Sequence, residues 1–168
     1  MAYKLTSDRC DYMTPLSLID NILEIEGVNE FDVDVCCSEH NIPAKKHYSE
    51  KDNGLVKSWG NLNWCNPPFK YSRKWLNKAL EEQQKGNSTW LILPFRPECV
   101  YWDNILCQKA EINNRIVENK YFHLEIWKKG FEFINPDTKK SAGLYKNPLA
   151  LLKLKGIKDY KIQKNLFQ

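Results

Sequence analysis

Leu62-Asn63-Trp64-Cys65-Asn66-Pro67-Pro68-Phe69 opens a stretch that continues through residues 72–85 to Thr89-Trp90-Leu91-Ile92-Leu93. Leu62–Cys65 is short, largely apolar and halted by two prolines, which reads as a strand with a hard end. Over 72–85, Trp75, Leu76, Ala79 and Leu80 recur on one helical face, and Gly86 supplies the stop. Residues 89–93 form the unbroken apolar run of a strand buried on both faces, ending at Pro94-Phe95-Arg96-Pro97.

Moving upstream, Thr14 and Pro15 open a predicted helix, with Thr14 as cap, Leu16, Ile19, Ile22 and Leu23 at helical spacing, and Gly27 as stop. Residues 31–37 alternate, predicting a strand with Asp32 and Asp34 on one face and Val33 and Val35 on the other. That face is either solvent or a polar site. Residues 38–58 read mostly as loop. Downstream, a short helix is expected over 98–109 and strands over 111–118, Phe122–Trp127, Phe131–Ile134 and Leu149–Leu154. Asn135-Pro136-Asp137 turns the chain between the last two. Strands alternating with helices in the first hundred residues predict an α/β fold with an open sheet, and the strand-rich end predicts its antiparallel edge.

At 168 residues the chain fits one domain, and its 42% hydrophobic and 27% charged residues exclude a disordered or collagen-like protein. No apolar run approaches the ~20 residues of a spanning helix, and no apolar leader follows Met1, so a cytoplasmic protein without membrane contact is expected. Formal charge is +4, and residues 151–168 carry the excess: Lys153, Lys155, Lys158, Lys161 and Lys164 against Asp159. A domain over 1–156 is therefore followed by a basic tail over 157–168, either a phosphate contact or a solvated terminus. The six cysteines contain no CxxC pair, and adjacent Cys36 and Cys37, near His40 and His47, point to opposite faces of a strand. Buried free thiols are expected, and no metal.

The chemistry is concentrated in Asn66-Pro67-Pro68-Phe69. Two fixed φ angles and a restricted Asn66 make a stiff turn at a strand's carboxyl end, where open α/β sheets bind ligands. The Asn66 amide oxygen and the Pro67 carbonyl can each accept one N–H of an exocyclic amine, and Phe69 can stack on the planar base carrying it. The alternative is an ordinary strand-end turn. Lys70, Arg73 and Lys74, interleaved with Tyr71 and Trp75, are either a backbone grip or a solvated helix start, and Arg96 is a further DNA or pocket contact.

The order of these features resembles the phage-encoded Dam-type DNA adenine-N6 methyltransferases. The resemblance rests on Tyr12-Met13-Thr14-Pro15, the first strand Phe31-Asp32-Val33-Asp34-Val35-Cys36-Cys37-Ser38-Glu39-His40-Asn41, and Tyr48-Ser49-Glu50-Lys51-Asp52-Asn53-Gly54-Leu55. It continues through Trp59, Trp64-Cys65-Asn66-Pro67-Pro68-Phe69, Leu93-Pro94-Phe95-Arg96 and Asn147-Pro148-Leu149-Ala150-Leu151-Leu152, spanning about residues 11–155. It implies a Rossmann-like S-adenosylmethionine-dependent fold, a mostly parallel sheet flanked by helices with antiparallel edge strands. The implied activity is methylation of adenine N6 in DNA. Asn66, Pro67, Pro68 and Phe69 would form the catalytic motif. Thr14, Pro15, Asp34, Cys36, Ser38, Asp52 and Asn66 would line the S-adenosylmethionine site, with Asp34 near the methionine part and Asp52 receiving the cofactor's adenine amine. Lys70, Arg73, Lys74 and Arg96 would touch DNA.

The chain departs from the pattern after its first strand, where Cys36-Cys37-Ser38-Glu39 replaces a glycine-rich loop and no glycine occurs until Gly54. Asp34 and Asp52 are only 18 residues apart, so the second strand and its ribose-binding acid are compressed or missing, with Glu39 and Glu50 as candidates for the acid. A catalytically inactive methyltransferase fold serving as a DNA-binding or protein-interaction module is the rival reading. A third keeps the chemistry and moves it to cytosine N4 or another amine, against which Asn66 at the head of the motif speaks.

Overall fold

The computed structural model describes residues 12–106, 111–113, 116–128 and 131–157. Helix α1 (Leu16–Glu26) follows Pro15, which occupies the cap position and offers its carbonyl to the N–H groups of Leu18 and Ile19. Thr14 does not cap: among the described residues its buried hydroxyl has no partner and no side chain closes the helix start. Gly27 ends α1 in the left-handed conformation (φ 67°), and its N–H and that of Val28 return to the Glu24 and Leu23 carbonyls.

Strands β1 (Phe31–Asp34), β2 (Ala44–His47), β3 (Leu62–Cys65) and β4 (Ser88–Pro94) pair in parallel in the order β2-β1-β3-β4. Helix α2 (Ser72–Gln84) makes the crossover between β3 and β4. Beyond β4 the sheet continues with β10 (Leu149–Leu154), β7 (Phe122–Trp127), β6 (Ile116–Glu118) and β5 (Glu111–Asn113), each pair antiparallel. Because β10 opposes both its neighbours, β7 runs with β4. Six strands thus share one direction, and only β10 and β6 oppose it. A separate hairpin, β8 (Phe131–Ile134) with β9 (Ser141–Tyr145), is inserted between β7 and β10.

Side-chain alternation sends neighbouring residues to opposite layers. Trp64, Trp90, Ile92, Leu149 and Leu151 pack with Ile19, Ile22 and Leu23 of α1 and Phe133 and Ala142 of the hairpin. Cys65, Leu91, Leu93, Ala150 and Leu152 pack with Trp75, Leu76 and Ala79 of α2 and with Trp102 and Ile105. The sheet is therefore covered on both faces, which explains the unbroken apolar reading of β4 and β10.

Several sequence expectations change. The stretch 38–58 is not all loop: it holds β2, whose sequence Ala-Lys-Lys-His lacks alternation because an edge strand can leave both lysines in solvent. The strand expected over 31–37 ends at Asp34, where Cys36 and Cys37 leave the ladder. The single strand over 111–118 is two, β5 and β6. The helix over 98–109 is a 3-10 turn, Val100–Trp102, and a four-residue α3 (Asp103–Leu106), and 107–110 lie outside the described residues. Asn135-Pro136-Asp137 leads not into the last strand but into β9, which carries one buried residue, Ala142, and so left no apolar pattern to read. Two lysines assigned to the basic end are part of β10 and the connection leaving it: Lys153 binds Glu26 at 2.5 Å across the Trp90 ring, and Lys155 donates to the Asn119 carbonyl at 2.9 Å. The rest of the tail, from 158 on, lies outside the described residues. Among the described residues no helix is long and apolar enough to cross a membrane.

Candidate active site

β1, β3 and β4 are parallel, so the segments that follow them emerge on one edge of the sheet. Asn66 is half-buried and Pro67 buried at the end of β3; Phe69–Tyr71 then makes a 3-10 turn, and the Ser72 hydroxyl donates to the Phe69 carbonyl at the entry of α2. The Pro68 carbonyl accepts the Tyr71 N–H at 2.8 Å and is used up in this turn. The Asn66 side-chain N–H2 donates to the Tyr12 carbonyl at 2.9 Å. A carbonyl only accepts, so this bond decides the orientation of the carboxamide and leaves Oδ1 as its outward acceptor. Among the described residues, neither Asn66 Oδ1 nor the Pro67 carbonyl has a hydrogen-bond partner. Two acceptors side by side in sequence, both left free, fit a substrate with two N–H groups.

The Phe69 ring is half-buried and lies edge-on to Phe133 (6.0 Å between centroids) and Tyr145 (5.5 Å) of the β8–β9 hairpin. This hairpin was not read as part of the site. Ile134 exchanges both backbone hydrogen bonds with Met13, each 2.9 Å, which lays the segment before Thr14 along β8. At the hairpin turn Lys139, in the left-handed region at φ 55°, pairs with Glu39 beyond β1. The hairpin so touches all three segments of the candidate site.

Asp34, at the end of β1, is 3% exposed. Burial raises its pKa to about 7, against the lowering effects of the Cys36 N–H, 3.4 Å from Oδ1, and of His47. Its face-mate Asp32 is structural: it pairs with Lys45 at 2.7 Å and accepts the Leu62 N–H at 3.0 Å, tying β1 to β2 and β3. Asp52 is exposed and closes its own turn, accepting the Ser49 hydroxyl (2.7 Å) and N–H (2.9 Å), which hold its carboxyl below the usual range. The Cys37 thiol is pushed up to about 11, first by burial and then by the charge of Asp34. Cys36 is half-buried and Ser38 exposed in the same loop, and buried Thr14 presents its unpartnered hydroxyl from the start of α1. Among the described residues no three potential ligands gather as a metal site. His40 and His47 instead stack at 4.4 Å.

Gly54 is required by packing at the end of β1. A Cβ on it would stand 2.0 Å from the Val35 carbonyl oxygen and 3.2 Å from the Trp75 ring. Gly54 thus lets the segment after β2 close directly onto the end of β1. Gly54→Ala should lower stability by about 1–3 kcal/mol or more, since backbone rather than a flexible side chain must move; chemical denaturation reads this directly.

Lys70, Arg73 and Lys74 are exposed just beyond the motif, and the Lys70 and Lys74 ammonium groups lie 5.6 and 5.5 Å from the ring centroid of Tyr71, itself 44% exposed. Arg96 is exposed after β4, where its carbonyl accepts the Cys99 N–H. The four cations therefore follow the two central parallel strands on the edge that carries Asn66.

Comparison with known proteins agrees with this arrangement. The family model described as "DNA N-6-adenine-methyltransferase (Dam)" matches residues 3–162. A protein of Escherichia phage T1 named DNA N-6-adenine-methyltransferase is 30% identical over 94 residues, 54% of this chain and 40% of that protein. One of the same name from Haemophilus phage HP1 (strain HP1c1) is 31% identical over 65 residues, 38% of each. The chain thus matches less than half the length of these curated relatives. The family match, by contrast, takes in α1, the whole parallel half of the sheet, the Asn66–Phe69 turn and the hairpin that braces it, and on that ground the chain belongs to the DNA N-6-adenine-methyltransferase (Dam) family.

Proposed function

We propose that this chain transfers a methyl group from S-adenosylmethionine to the N6 amine of adenine in DNA, on a Rossmann-like sheet whose carboxyl edge holds both substrates. The observation that carries the reading is the pair of unpartnered acceptors, Asn66 Oδ1 and the Pro67 carbonyl, at the end of β3. The cofactor fits the residues present: buried Asp34 and the orphaned Thr14 hydroxyl are polar groups without full satisfaction, and an ammonium or hydroxyl ligand would complete them. Asp52 keeps one carboxylate oxygen outside its turn and is assigned to the cofactor's adenine amine. Cys36 and Ser38 line the loop between these acids, and Pro15 sets the start of α1 beside it.

S-adenosylmethionine supplies an electrophilic methyl on a sulfonium. The adenine N6 lone pair is delocalised into the ring; accepting both N–H groups at Asn66 and Pro67 draws the nitrogen toward tetrahedral geometry and localises that pair. With the cofactor bound, its methyl group would pass to this nitrogen as the S–C electron pair stays on sulfur, and the methylated nitrogen, then acidic, would give its proton to water without a strong base. Pro68 holds the turn, and Phe69 faces the base. A paired adenine cannot reach this edge, so it is flipped out, with Lys70, Arg73, Lys74 and Arg96 on the backbone. The rival reading, an inactive DNA-binding or interaction module, has no use for two free amine acceptors at Asn66 and Pro67.

The test is incubation with methyl-labelled S-adenosylmethionine and unmethylated DNA, followed by digestion to nucleosides. Label in N6-methyl-2′-deoxyadenosine supports the reading; label in a deoxycytidine derivative, or none, overturns it. Replacing Arg73 and Lys74 together by alanine should flatten the log–log salt dependence of duplex DNA binding by about 0.9 for each phosphate that the protein then leaves unneutralised. An unchanged slope would make these residues a solvated helix start.

A further inference from the structure

We infer that the β8–β9 hairpin aims the acceptor of the target amine, and that it does so through Phe133, a positioning residue for methyl transfer. The inference rests on the function proposed above and adds how Asn66 is oriented. Phe133 is 2% exposed, and its ring lies 6.3 Å from Tyr12 and 6.0 Å from Phe69. Its neighbour Ile134 holds Met13 by two backbone hydrogen bonds. The Tyr12 carbonyl, one residue before that bridge, is the group that accepts the Asn66 N–H2.

The consequence follows from carboxamide chemistry. The two ends of the Asn66 amide are nearly equal in shape and opposite in hydrogen bonding. With the Tyr12 carbonyl in place, nitrogen faces inward and oxygen outward. If segment 12–13 shifts, the amide is free to turn over and offer N–H groups to an amine that needs an acceptor. The hairpin thus determines which atom of Asn66 meets the substrate, and the same Phe133 ring braces Phe69. Three segments far apart in sequence are joined at one side chain.

Phe131 provides the comparison. It lies on the same strand and packs on Phe133 (4.6 Å) and Trp127 (5.0 Å), but its ring contacts include neither Tyr12 nor Phe69. In the full-length protein, Phe133→Leu should slow single-turnover methylation by up to about 10²-fold, the scale of a misplaced reacting group. The affinity for S-adenosylmethionine should stay near wild type, the KM for DNA should rise only a few-fold through the loosened Phe69, and the side-chain amide resonances of Asn66 should shift in 1H–15N spectra. Phe131→Leu, compared at equal distance below its own melting temperature, should keep both the rate and the Asn66 resonances. Should Phe133→Leu fail to fold, Phe133→Met, whose unbranched side chain adapts to an irregular gap, should show the same pattern. Equal rate losses in the Phe131 and Phe133 variants, or unmoved Asn66 resonances, would overturn the inference while leaving the function intact. Absence of adenine methylation by the wild-type protein would overturn the function itself.

Discussion

Asn66→Ala is expected to lose about 10²–10³-fold in single-turnover methylation, the usual cost of removing one well-placed group that acts mainly in the transition state. Among the described residues Asn66 Oδ1 has no hydrogen-bond partner of its own, so its loss chiefly deprives the amine of an acceptor. The nitrogen does have a structural partner, the Tyr12 carbonyl at 2.9 Å, and a net hydrogen bond of this kind contributes about 1 kcal/mol. The variant should therefore melt slightly early yet remain folded at assay temperature, with S-adenosylmethionine and DNA affinities changed only a few-fold. Phe69→Ala should act differently, raising the KM for DNA, because the ring offers binding area to the flipped base rather than charge to the reaction. Thermal melts run beside single-turnover rates distinguish the outcomes. A folded Asn66→Ala protein that methylates adenine near the wild-type rate would refute the mechanism, and activity falling only with the folded fraction would assign Asn66 to the turn.

Asp34→Asn should have two effects of opposite sign. In the folded protein the Asp34 carboxyl titrates at about 7, raised chiefly by burial, against an ordinary 3.8. Between those pH values the folded state holds a proton that the unfolded state has released, so stability is fullest near pH 4 and falls as pH rises toward 7. The whole effect is bounded at on the order of 4 kcal/mol. Asparagine has the same shape and no charge, so the variant should unfold at higher denaturant than wild type at pH 8, and at nearly the same concentration at pH 4. Cofactor binding should move the other way. A cationic or hydroxylic ligand beside Asp34 favours the carboxylate, so wild-type affinity should weaken as pH falls below about 7, with proton release on binding. The variant should lose this pH dependence together with ~1.5–3 kcal/mol of affinity, the worth of a charged hydrogen bond. Calorimetric titration at pH 6 and pH 8 checks both points, and wild-type affinity in the variant would remove Asp34 from the site.

The elements that could be read in advance are those whose side chains see an apolar neighbour on a fixed period. β3, β7, β8 and β10 stand where their patterns put them, α1 begins after Pro15 and ends before Gly27, and α2 ends two residues before Gly86. Asn66-Pro67-Pro68-Phe69 was legible for a related reason: prolines fix the backbone locally, whatever surrounds them. β2 and β9 were not legible. Each lies at an edge, buries little, and forms because a neighbouring strand offers a ladder, and that information lies in the partner rather than in Ala-Lys-Lys-His or Ser-Ala-Gly-Leu-Tyr.

The site divides along the same line. Composition and motif by themselves determined the α/β class, the stiff turn at the end of a strand, and the kind of substrate two carbonyl oxygens and a ring can hold. Only the tertiary structure decided that Asn66 turns its oxygen outward, that Asp34 is buried with a raised pKa while Asp32 is spent on Lys45 and Leu62, and that Gly54 packs directly on the Val35 carbonyl. Each of those depends on a group distant in the chain: the Tyr12 carbonyl, the packing above β1, the Val35 carbonyl. Local sequence sets torsions and periodicity, whereas the direction of a hydrogen bond and the dielectric around a carboxylate are set by whatever the fold brings within a few ångströms.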